Sequence, residues 1–127
     1  MLKEIIKEIL KEELSCSNKA IDNMTTTNLN TRYYGRVVMV RTYSAGVHFG
    51  ELVEKVGQEA ILKNSQRVYS WAKAATLSQL ASEGSKDINS CKITMAVDEI
   101  LLNRVIEIIP MSEEAIKNLK SAKVWKM

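Results

Sequence analysis

The stretches YYGRVVMVRTYS (residues 33–44) and VHFGELVEKVG (47–57) decide the fold. The first is β-branched and aromatic, the composition of a strand. The second sets Val47, Phe49 and Leu52 against His48 and Glu51, the alternation of a half-buried strand. Only Ala45-Gly46 separates them, which is too short for a parallel crossover, so the two pair antiparallel. Gly57-Gln58 makes the next turn. EAILKN (59–64) then reads as a third strand, Asn64-Ser65 as a turn, and RVYSW (67–71) as a fourth, giving an antiparallel meander.

Downstream, ATLSQLASEG (75–84) reads as a short helix with Leu77 and Leu80 on its buried side. Gly84 stands where a C-terminal cap belongs. A loop follows over 85–90. CKITMAVDEILLN (91–103) and RVIEIIP (104–110) each read as a strand. Ser112 is placed to cap a final helix reaching about Leu119, with Glu113 and Glu114 in the first turn where the helix dipole favours them. Val124 and Trp125 are expected to fold back as a last apolar anchor.

Upstream, MLKEIIKEILKEEL (1–14) carries Leu2, Ile5, Ile6, Ile9 and Leu10 at helical spacing. A helix of that length is marginal alone in water, so its stripe must dock on the core or on a second subunit. Its breadth favours oligomer contact. Residues 15–32 are rich in Ser, Thr and Asn and read as a linker. The expected division is therefore 1–32, N-terminal helix and linker for oligomerisation, and 33–127, a β-rich ligand-binding core. The expected class is α+β: an antiparallel β-sheet or small barrel core with an N-terminal amphipathic helix and short peripheral helices.

Composition narrows the chemistry. A chain of 127 residues supports one core and not two. With 46% hydrophobic and 26% charged residues it is not a wholly disordered chain. Its apolar runs stop at four or five residues, against the ~20 needed to span a bilayer, and the alternating N-terminus does not read as a secretory signal. One His and two Cys cannot make a four-ligand zinc site, and Cys16 and Cys91 are expected to be reduced thiols in a cytosolic protein. A net charge of +3 is too mild for a duplex DNA binder but suits a small anionic ligand. No Ser-His-Asp set and no G-x-S-x-G elbow is present. The five glycines are scattered and form no phosphate loop. Asp98 and Glu99 are adjacent, so on a strand they face opposite ways, which is poor geometry for shared acid–base work.

Two segments stand out. RTYSAGVHF (41–49) brings a guanidinium, a phenol, hydroxyls and an imidazole close together, with Arg41 and Tyr43 on one strand face. RVYSW places Arg67, Tyr69 and Trp71 at i, i+2 and i+4, again one face. Arginine beside an aromatic ring offers a fork for phosphate and a flat surface for a base. The competing reading makes Tyr69 and Trp71 core aromatics, with Arg67 snorkelling past them.

The runs RTYSAGVHFGEL (41–52), NSQRVYSWAKAATLSQLASEG (64–84) and VIEIIPMSEEAIKNL (105–119), with the terminal VW, resemble the phage-encoded Thoeris anti-defence sponge family, type one, over roughly residues 37–127. The resemblance implies a non-catalytic protein in the cytoplasm of an infected bacterial host. Such a protein binds cyclic ADP-ribose isomers, and in some members cyclic oligonucleotides, without degrading them. It implies homo-oligomers, dimer or higher up to a hexamer, with pockets between subunits. It implies no cofactor, no duplex nucleic acid and no membrane. On that reading Arg41, Arg67 and Arg104 are phosphate candidates and Tyr43, Tyr69 and Trp71 are stacking candidates. His48, Asn64, Thr76 and Thr94 can read ribose hydroxyls or adenine edges. The alternative is a structural or assembly protein of a phage particle that binds no nucleotide.

Overall fold

The structure, a computed structural model, describes residues 29–127. The expected helix over 1–14 and most of the linker lie outside the described residues. The described residues correct the α+β expectation: they are mostly one antiparallel sheet of six strands with only two short helices. Each helix is held to two turns by its own caps, so helix supplies covers for the sheet rather than a second layer of equal weight.

The strands are β1 (Val37–Thr42), β2 (Val47–Val56), β3 (Glu59–Ser70), β4 (Lys92–Ile93), β5 (Val97–Leu102) and β6 (Val105–Pro110). The helices are α1 (Leu77–Glu83) and α2 (Glu113–Lys120). Hydrogen bonding runs β4-β3-β2-β1-β6, with β5 on the same edge of β3 as β4 but at its other end. Only Asn103-Arg104 joins β5, paired to β3, with β6, paired to β1. Three residues from Leu102 to Val105 reach at most ~11 Å, so the two edges of the sheet must curl toward each other. The Val105 N–H closes that end by donating to the Gln58 carbonyl at 2.8 Å.

The curl buries side chains on each of its two faces. Val38, Val40, Leu52, Ala60, Leu62 and Leu102 fill the inside. Met39, Val47, Phe49, Val68 and Ile93 face the other way, against Leu80 and Ala81 of α1 and Ala115 and Leu119 of α2. The alternation of Val38 and Val40 against Met39 is the two-residue strand period, with a core on each side.

Several boundaries differ from the sequence reading. Tyr33 to Arg36 is a turn, closed by the Arg36 N–H on the Tyr33 carbonyl at 3.0 Å, so the first strand begins at Val37. Asn64-Ser65 is not a turn. The third and fourth expected strands are one strand, β3, interrupted by a bulge in which the pairing skips from Phe49↔Gln66 to Glu51↔Lys63. Asn64 takes φ +51 there. Before the bulge Ala60 and Leu62 point inward; after it Ser65 and Arg67 do, while Val68 joins the helix-side core. One extra residue has switched the inward parity of the strand. CKITMAVDEILLN likewise divides into β4 and β5.

The caps expected at Gly84 and Ser112 form, and Thr76, expected as a ligand contact, instead caps α1. Thr76 Oγ1 accepts from the Gln79 N–H, and Ser112 Oγ from the Ala115 N–H. Gly84, at φ +78, donates its N–H to the Leu80 carbonyl. Among the described residues no helix is long and apolar enough to cross a membrane.

Candidate functional site

Among the described residues, candidates read from the sequence line two cavities. The first sits where β1 ends beside the β5–β6 turn. The Tyr43 N–H donates to the Arg104 carbonyl at 2.9 Å. The Arg104 guanidinium lies over the Tyr43 ring, 5.3 Å from its centre. Arg104 has φ +53, a left-handed conformation that L-residues other than Asn and Asp rarely adopt. Tyr43 is 70% exposed. Together with Gln58, Val105 and Ile106 the pair borders an open cavity of about 530 Å³. That size falls within the range of small-molecule sites. A ring, a guanidinium and a backbone strained to hold them together is an arrangement that can stack a base and fork a phosphate.

The second place is a narrower slot of about 140 Å³ between β2, β3 and the β4–β5 segment. His48, Ser65, Arg67 and Thr94 supply its polar wall; Met95, Val97 and Ile100 supply the apolar one. His48 is buried and paired across the sheet with Arg67. Its Nε2 lies 2.9 Å from the Ala45 carbonyl, which can only accept, so Nε2 carries the proton. Burial pushes the imidazole pKa below its ordinary value; the Ala45 carbonyl opposes this, and the Arg67 charge adds to it. The ring is therefore neutral at pH 7. Ser65 is 2% exposed, and its hydroxyl has no hydrogen-bond partner. Thr94 Oγ1 accepts from the Arg67 N–H at 3.0 Å and thereby ties the segment before β5 to β3.

The other candidates separate from these two groups. Arg41 pairs through Nε with Glu107 Oε1 at 3.0 Å on the surface. Tyr69 stacks on Trp125, ring centres 4.8 Å apart, with the Lys92 ammonium over both rings. Trp125 is also held by its N–H on the Ile93 carbonyl. Trp71 leaves the face of Tyr69 and packs on the helix-side core, its Nε1–H donating to the Ala74 carbonyl. The register shift between Val68 and Ser70 separates the two rings. Thr76 is the cap of α1, and Asn64 forms the bulge. Of the ten candidates, then, Tyr43 and Arg104 meet at one cavity, and His48, Arg67 and Thr94 at another.

Residues 35–119 match the model of a domain of unknown function, DUF6948. The chain belongs to that family. The DUF6948 match spans both cavities and all ten candidates, and leaves Val124 and Trp125 beyond its end. No curated protein matches the chain.

Sequence reasoning missed Ser65 and Gln58. Gln58 was visible only as a turn residue. Ser65 carried the signature of a turn, and the signal that could have placed it lies fifteen residues away at Gly50, across the sheet. Among the described residues no three of His, Cys, Asp and Glu gather as a metal-binding group.

Proposed function

We propose that this protein is a phage-encoded, non-catalytic sponge that binds and sequesters small cyclic nucleotide signals, cyclic ADP-ribose isomers first and cyclic oligonucleotides second. The observation that carries the reading is Arg104, held in a left-handed conformation over the exposed Tyr43 ring at the rim of a nucleotide-sized cavity. The resemblance of RTYSAGVHFGEL and its companion runs to the sponge family narrows the ligand from any nucleotide to a cyclic signal. Sequestration of a signal acting near micromolar levels needs nanomolar affinity, about −12 kcal/mol. A guanidinium–phosphate pair and one stacked base supply only part of that. Assembly of further copies around the cavity supplies the remaining burial and preorganisation.

The test is capture and release. The purified protein is mixed with cyclic ADP-ribose isomers and cyclic di- and trinucleotides, freed of unbound ligand and boiled, and the supernatant is read by mass spectrometry. Intact ligand released by heat supports sequestration. A cleaved product overturns the non-catalytic reading, and no bound ligand from folded protein overturns nucleotide binding.

A further inference from the structure

The slot beside His48 has a different chemistry from the Tyr43–Arg104 cavity. Its interior holds a hydroxyl, Ser65 Oγ, that is fully buried and has no partner. Native proteins leave few such groups unmade, because an unpaired polar atom away from water destabilises the fold. Ser65 is part of the wall of a space large enough for a small molecule, and a ligand oxygen that reached its hydroxyl would complete it. Arg67 is the one charged residue on the wall, and among the described residues its guanidinium has no carboxylate within ion-pair distance. The neighbouring imidazole is neutral and adds no second charge. Val97 and Ile100 make the remaining wall apolar.

We propose that this slot is a second binding site, for a small organic monocarboxylate whose carboxylate is held by the Arg67 guanidinium and the Ser65 hydroxyl and whose short apolar body lies against Val97 and Ile100. A guanidinium fork matches a carboxylate with two parallel hydrogen bonds. A phosphate monoester carries close to two charges at neutral pH and meets only one cation here. The volume of about 140 Å³ is close to that of cavities that accept a single benzene ring, which sets the size of the body. The site is independent of the cyclic-nucleotide reading and stands or falls without it.

Benzoate, benzyl alcohol and inorganic phosphate serve as probes, titrated into the full chain and followed by amide chemical shifts. Benzoate is expected to saturate in the millimolar range and to move the signals of Ser65 and Ile100. Benzyl alcohol, the same body without the charge, should bind about tenfold more weakly. Arg67→Met, a change at an exposed position that should leave the fold intact, should weaken benzoate by about tenfold and leave benzyl alcohol unaltered. The proposal is overturned if benzoate does not saturate, or if its shifts fall at Tyr43 and Arg104 instead. It is equally overturned if Arg67→Met binds benzoate like the parent, or if phosphate binds more tightly than benzoate.

Discussion

Gly50 lies so close to Ser65 that a β-carbon on Gly50 would stand 3.0 Å from the Ser65 Cα and 2.8 Å from the Lys63 carbonyl oxygen. The missing side chain of one strand makes room for the extra residue of the next. This contact lets β3 run through Asn64-Ser65 and aims Ser65 and Arg67 inward.

Gly50→Ala should therefore act on the bulge itself. The added methyl meets backbone on β3, which cannot rotate away as a side chain would. Overpacking of this kind costs about 1–3 kcal/mol. Urea denaturation should show a lowered midpoint with an unchanged slope. A midpoint within error of the parent would mean that β3 can withdraw without strain.

The Ser65 hydroxyl gives a prediction of opposite sign. Its burial without a partner destabilises the ligand-free protein, so Ser65→Ala should raise stability by about 1 kcal/mol. For a unit of this size that raises the melting temperature by roughly 4–8 °C. A fall in melting temperature would show that the hydroxyl is already satisfied by water in the slot.

The hairpin of β1 and β2 and the caps at Gly84 and Ser112 were legible because their signals are local: β-branched alternation, a glycine after a helix, a hydroxyl before one. Asn64-Ser65 was misread because the local signal and the tertiary cause disagree. Asn-Ser is turn chemistry, whereas the decision to bulge rests with Gly50 on another strand. The weight given to helix came from residues 1–14, outside the described part. Arg104 and Tyr43 were each visible as side-chain types. Their meeting depends on β1 pairing with β6 across a separation of some sixty residues, which no local pattern encodes.

Arg104 is open to a paired test. Arg104→Ala removes the guanidinium and keeps a β-carbon in the left-handed region; Arg104→Gly removes both. The glycine variant should be more stable than the alanine variant by about 1 kcal/mol, since left-handed φ costs an L-residue roughly 1–2 kcal/mol and glycine gives part of that back through the unfolded chain. Both should lose cyclic-nucleotide affinity alike, by about tenfold or more. Arg41→Ala, whose guanidinium is engaged by Glu107 in a half-exposed pair, should leave affinity unchanged and shift stability by less than about 1 kcal/mol. Calorimetric titration of the three variants reads affinity and thermal unfolding reads stability; affinity lost in Arg41→Ala but kept in both Arg104 variants would move the phosphate contact off Arg104.

Acid should weaken the fold through His48, the only histidine of the chain. Burial lowers its pKa in the folded state, so between the folded and unfolded values the unfolded chain binds the extra proton. The contribution of the neutral ring is fully present above the unfolded value of about 6.5 and is lost as pH falls through the folded value. One proton limits the slope to about 1.4 kcal/mol per pH unit. Since carboxylates titrate mainly below this window, the difference in unfolding free energy between pH 7.5 and pH 5.5 isolates the imidazole. His48→Gln should flatten that difference while lowering stability at both pH values. A parent protein equally stable at the two would mean that the ring can take up its proton in place, with solvent reaching it through the slot.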